Sequence, residues 1–149
     1  MKINGKLHGI LMAGFLAMMI SPVMAQENQE GYSQDLPQVL QQGEITYTTG
    51  GFGLEERDAL KATAKNYNLI ISNANKQSQF TAETAIVITG KGNQKTLTVD
   101  DAGPLLYARL PAGTYVVKAA NGEEKSVRTL SISGQKQARI HFIWSSGSD

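Results

Sequence analysis

The sequence predicts a mainly β fold, two packed sheets with one helix, preceded by a strand-helix-strand segment. Three observations carry this. Short alternating runs recur at close intervals from Thr84 to Trp144, and Gly, Pro, Asn and Asp stand between them in patterns suited to turns. One stretch alone, Leu54 to Tyr67, has helical periodicity. There is no cysteine, so neither disulfides nor a Cys-ligated zinc can replace a hydrophobic core, and thiol catalysis is excluded.

The first 25 of the 149 residues read as a secretory signal peptide. Lys2 and Lys6 precede an apolar run of 11 residues, Ile10 to Ile20, too short for the roughly 20 that a membrane-spanning helix needs. Val23 and Ala25 suit signal peptidase, so cleavage is expected between Ala25 and Gln26, leaving 124 residues with no stable membrane span. Because Gln26 is not a cysteine, no bacterial lipoprotein anchor is expected. The expected location is periplasmic or secreted. Without the two leader lysines, 12 basic residues face 13 acidic ones, a net charge of −1. The basic residues are dispersed, so no nucleic-acid partner is implied.

Residues 26–43 form a Gln-, Glu- and Ser-rich stretch expected to serve as a flexible polar leader, with Val39-Leu40 adding at most a short helical turn. Folded structure is expected from Glu44, as one domain to residue 145 with a short tail, 146–149. Ile45 to Thr49 alternates as a strand and ends in Gly50-Gly51-Phe52-Gly53. The helix follows, about residues 54–67, with Leu60, Ala64 and Tyr67 on its buried face, acids early and lysines late as its dipole favours. Leu69 to Ser72 is the next strand, and polar Asn73 to Gln79 a loop. Further strands are expected over Thr84 to Thr89, Thr96 to Val99, Leu105 to Leu110, Thr114 to Ala119, Ser126 to Ser133 and Ala138 to Trp144. Pro111-Ala112-Gly113 is expected to join two neighbouring strands, Asn121-Gly122 to form the centre of a type I′ hairpin turn, and the helix to pack on one edge or end of the sheets.

The region from Glu83 to Trp144 resembles the carboxypeptidase regulatory-like domain, a prealbumin-like (transthyretin-like) Greek-key β-sandwich. Asp100, Gly103, Leu110, Pro111, Gly113, Tyr115 and Val117 match its D-x-x-G … L-P-x-G-x-Y-x-V pattern. With GGFGLEERDAL upstream and Trp144 in the last strand, nearly the whole mature chain is similar to small exported proteins of Gram-negative bacteria that carry this domain. The resemblance implies a binding or accessory role, not peptidase activity. Hydroxyisourate hydrolases with a related sandwich use several histidines and a C-terminal Tyr-Arg-Gly-Ser, whereas here His141 is the one histidine after the leader and the chain ends in Ser148-Asp149.

The chemistry-bearing candidates are few. Period-two alternation puts His141 with Arg139 and Ile143 on the less buried face of the last strand, opposite Ile140, Phe142 and Trp144. No second histidine stands at metal-ligand spacing and no G-x-S-x-G elbow accompanies it; Ser131 and Ser133 fall within a strand. Gly50 to Gly53 invites an anion-loop reading, but Glu55 and Glu56 bring negative charge where an anion would sit, and capping of the helix is the simpler role. Asp100 and Asp101, with Asn93 or Glu83, offer too few oxygens for calcium and suit a turn before Gly103. No catalytic residue, cofactor or metal is expected. The remaining leads are Phe52 on the glycine turn and Phe80 in the long loop, either able to anchor a partner. The function expected is a non-enzymatic protein-interaction module acting on an envelope protein, with a carbohydrate or cell-wall glycan binder as the alternative and an unrecognised hydrolase as the remote one.

Overall fold

A β-strand exposes alternate side chains to opposite faces, so each strand's burial pattern tells which side of its sheet meets the core. In the computed structural model, which describes residues 37–92, 96–134 and 136–145, the pattern sorts nine strands into two sheets. The expected signal peptide with its Ala25–Gln26 cut, most of the leader and the tail lie outside the described residues.

The five-stranded sheet runs β1 (Leu40–Gln42), β2 (Ile45–Gly50), β6 (Leu105–Arg109), β3 (Leu69–Asn75), β9 (Ala138–Trp144), and the four-stranded sheet β5 (Thr96–Ala102), β4 (Thr84–Gly90), β7 (Gly113–Asn121), β8 (Glu124–Ile132). Among the described residues, only β3 and β9 pair in parallel. One core lies between the sheets. Ile45, Leu69, Ile71, Leu106, Phe142 and Trp144 enter it from the first sheet, and Ile86, Ile88, Leu97, Tyr115 and Val117 from the second. The expected mainly β sandwich with a single helix is the observed fold.

The helix α1 (Leu54–Thr63), extended by a 3₁₀ turn over Ala64–Asn66, connects β2 to β3 across β6. Its place differs from expectation. It covers the outer face of the five-stranded sheet, where Leu60 and Tyr67 pack with Ile70, Leu105 and Tyr107, not an edge or end. The reason lies in β6, whose alternate residues are apolar on both sides, so its outer face also needs a roof. Tyr67 and Tyr107 meet edge to face with ring centroids 5.9 Å apart.

Leu105 to Leu110 and Thr114 to Ala119, expected as neighbouring strands, are not neighbours. β6 pairs with β2 and β3, whereas β7 pairs with β4 and β8, so Pro111-Ala112 carries the chain from one sheet to the other. The Tyr115 hydroxyl donates to the Pro111 carbonyl at 2.7 Å and holds this corner. Alternating runs facing the same core from opposite sheets look the same in sequence as a hairpin.

Smaller differences follow the backbone hydrogen bonds. Ordered chain begins before Glu44, since Leu40–Gln42 is a strand on β2 and not a helical turn. Asn73 to Asn75 continue β3, with Asn73 and Asn75 buried, so the loop is shorter than expected. Asp100 and Asp101 lie within β5. The β7–β8 hairpin is present, but Asn121 pairs with Glu124, leaving Gly122 and Glu123 as its central residues with only Gly122 at positive φ (57°). The Asn121 amide instead donates to the Ala82 carbonyl and Thr84 Oγ1.

Side chains close both flanks of the sandwich. The Gln42 amide donates to the Thr98 carbonyl (2.7 Å) and accepts from the Thr98 N–H (3.0 Å), as a strand partner would. On the other flank the Ser145 N–H donates to the Glu124 carboxylate (2.9 and 3.0 Å), and Arg128 lies 5.9 Å from the Phe142 ring centroid. An inward charge on a free strand such as β8 discourages further pairing.

Two backbones approach closely where β5 leads into β6. A Cβ on Gly103 would lie 2.9 Å from the Gly50 carbonyl oxygen and 3.0 Å from its Cα, while one on Gly134 would meet nothing within 4 Å. Gly103→Ala is therefore expected to cost about 1–3 kcal/mol in urea unfolding and Gly134→Ala less than about 0.5 kcal/mol.

Burial raises the phenol pKa of Tyr67, Tyr107 and Tyr115 above 10.0, the Arg139 charge partly opposing the rise at Tyr107. Below pH 10 these phenols are protonated in both states. Above it the unfolded chain releases protons that the folded chain retains, so stability present below pH 10 is lost as pH rises through the folded values. The urea midpoint should fall above about pH 10, and less steeply in Tyr107→Phe.

Candidate functional site

The glycine turn throws Phe52 outward because the space behind it is taken. The Glu56 side chain packs directly on Gly50, leaving no room for a Cβ there, and its carboxylate accepts the Phe52 N–H at 2.8 Å. Three residues past the N-cap Gly53, Glu56 satisfies a backbone donor at the helix entrance and complements the dipole, the capping role expected of these acids. The chain's own carboxylate thus occupies the place that an anion would need. Phe52 is 64% exposed and Leu54 65%.

Phe80 is presented by a loop that Asn75 organises. Buried Asn75 accepts the N–H groups of Gln77 (3.0 Å) and Gln79 (2.9 Å) on Oδ1, and its Nδ2 donates to Gln79 Oε1 at 2.8 Å. The chain then returns to β3 through a bridge between Phe80 and Ala74. The two expected residues come to the same end of the five-stranded sheet and share one neighbour. Arg57 of α1 places its guanidinium 5.2 Å from the Phe80 ring centroid and donates to the Gly51 carbonyl at 3.4 Å, one residue from Phe52.

Across the sheet, Ala74 is in register with Ile143 of β9, so exposed Ile143 lies on the same face as Phe80. Phe52, Leu54, Phe80 and Ile143 make this the apolar end of the molecule's helix side. Leu54, Ile143 and Arg57 were not among the expected contact residues. Ile143 was legible in the alternation of β9, whereas Arg57 depends on how the helix crosses β6.

His141 is exposed beside Arg139 and Ile143, on the face predicted for it, and it has a partner that sequence did not suggest. Ser72 is its register mate on β3, and Ser72 Oγ lies 2.5 Å from His141 Nδ1. A serine hydrolase sets its serine on one imidazole nitrogen and a carboxylate on the other so that the ring is oriented and its charge stabilised. Here the bond joins exposed His141 to half-buried Ser72 on the outer face of the β3–β9 pair. Among the described residues no group of three His, Asp or Glu could hold a metal ion.

A cavity of about 630 Å³ lies at the opposite end of the same sheet, where β3 and β9 begin and β6 ends. It is lined by Tyr67, Leu110 and Pro111 and by the charged Glu44, Lys65, Arg109 and Lys136. Its walls are cross-braced. The Asn68 side chain bonds both the N–H (2.9 Å) and the carbonyl (2.7 Å) of Leu110, and Gln137 Nε2 donates to the Ala64 and Tyr67 carbonyls at 2.8 and 3.0 Å, satisfying the end of the helix.

Comparison with protein-family models and with curated protein sequences gives no match.

Asn75→Ala should speed hydrogen exchange at the Gln77 and Gln79 amides by about tenfold or more while leaving β4 and β7 amides protected, because the two hydrogen bonds lost with Asn75 Oδ1 are local to the Phe80 loop.

Proposed function

We propose that this chain is an exported, non-enzymatic accessory module of the bacterial envelope, built on a carboxypeptidase regulatory-like sandwich, that binds another protein through the face bearing Phe52 and Phe80. The reading rests on one observation: two large aromatic rings are held outward by rigid local structure, Phe52 by the Glu56-braced turn and Phe80 by Asn75 and Arg57. Disordered exposed aromatics would lose entropy on binding; braced ones lose little.

A protein fits this face better than a glycan. Sugars stack on flat aromatic faces, but Arg57 already lies over the Phe80 ring, and exposed Leu54 and Ile143 add aliphatic surface at this end of the sheet. Exposed Glu55 on the first turn of α1 favours a partner whose apolar anchor is flanked by a basic group. The export signal read in residues 1–25 supports an envelope location, and among the described residues no helix is long and apolar enough to cross a membrane.

The test compares the purified protein with its F52A/F80A variant. Both rings are exposed, so the variant should melt as the wild type does. An envelope partner retained in stoichiometric amount by the wild type should bind the variant at least about tenfold more weakly. Equal retention by both proteins defeats the reading, and saturable binding to purified peptidoglycan that depends on the same two rings replaces it with the glycan alternative.

A further inference from the structure

From the cavity at the opposite end of the five-stranded sheet we infer a second, independent binding site, for a small acidic amino compound: a molecule carrying several carboxylates and a free ammonium, such as an acidic dipeptide. It does not rest on the Phe52 and Phe80 face.

The charge inventory points this way. Lys65 on the 3₁₀ turn, Arg109 at the end of β6 and Lys136 just before β9 line one cavity, with Glu44 as its carboxylate. These four groups come from separate segments of the chain, and only folding brings them together. None forms an ion pair with another described residue; the one such pair is Lys61 with Asp58, on the helix surface. Three cations against one carboxylate leave a local charge of about +2 on a mature chain of net charge −1, so the concave surface focuses a field that draws anions.

The two side-chain amides between these charges are already committed. Asn68 and Gln137 are consumed in bracing the backbone, as described above, and Gln137 Oε1 also accepts from Arg139 at 2.7 Å. Arg109 spends one donor on the Asn66 carbonyl at 3.1 Å, which steadies its guanidinium and leaves the rest of its five donors for a carboxylate. A ligand is therefore recognised by charge placement on a braced wall. The volume of about 630 Å³ suits a molecule of dipeptide size. Glu44 separates this class from a plain oxyanion: in a purely anion-binding cavity it repels the ligand, whereas opposite an ammonium it adds to binding. Tyr67, Leu110 and Pro111 supply apolar contact for the methylenes between the ligand's charges.

The probe is glutamyl-glutamate, with three carboxylates and one ammonium at neutral pH, titrated into the purified protein at low salt and followed by calorimetry and backbone amide shifts. Saturable binding is expected, with shifts centred on Lys65, Asn68, Arg109 and Gln137. Replacing two exposed cations in K65Q/K136Q should weaken it by about tenfold or more without moving the melting temperature. N-acetylation of the dipeptide should weaken it by about fivefold in the wild type and make no difference in E44Q, since the ammonium then has no carboxylate to meet. The F52A/F80A variant should bind the dipeptide unchanged. The inference is overturned by absence of saturation up to about 10 mM dipeptide, by shifts centred elsewhere, by inorganic phosphate binding as tightly as the dipeptide, or by N-acetylation having no effect on the wild type.

Discussion

Leu106 and Ala108 of β6 face the core while Leu105 and Tyr107, on the alternate positions, lie beneath the helix, so this strand has no solvent face along most of its length. That double burial organises the five-stranded sheet. β2 and β3 run parallel to each other with a strand's width between them, and the helix that connects them spans the gap. Only β6, which follows β4 and β5 of the other sheet in chain order, fills it and pairs with both. The pairings are therefore long-range in sequence, and neither neighbour of β6 is complete before it is placed.

The same arrangement sets the two ends of the molecule apart. At the end where β2 and β3 finish, the helix begins, and its first turns bring Glu56 onto the glycine turn and Arg57 onto Phe80. At the end where β3 starts, the helix finishes, and Gln137 and Asn68 absorb the backbone groups that a helix end and a strand end leave over. One crossover thus places an apolar surface and a charged hollow at opposite poles of one sheet. The hydrogen bonds that brace each pole are made within the chain, which leaves rings exposed at one and formal charges at the other.

Much of the secondary structure was legible because alternation is a local property. β9 occupies the residues expected of it, and its buried and exposed faces follow the period-two pattern residue by residue. Sheet membership was not legible. Leu105 to Leu110 and Thr114 to Ala119 carry the same alternation whether they form a hairpin or face each other across a core, and Pro111 to Gly113 suits either connection. Asn73 and Asn75 read as loop residues because they are polar, yet both are buried in a strand, where the end of the sandwich and the Phe80 loop use their side chains. At the apolar pole Phe52 and Phe80 could be picked out as rings near glycines and polar residues, but their common neighbour Arg57 could not. The cavity was invisible for the same reason, since no two of Glu44, Lys65, Arg109 and Lys136 stand close in sequence.

β9 supplies Ile140, Phe142 and Trp144 to the core, with the stacked rings of Phe142 and Trp144 5.7 Å apart, and it follows every other strand of the described residues. It pairs with β3 alone, in parallel, so nothing local can hold it in place before it docks. A chain made N-terminus first therefore keeps Leu69 and Ile71 without their edge neighbour until Trp144 has emerged. Until then the core lacks Ile140, Phe142 and Trp144, so the sandwich closes only when β9 docks.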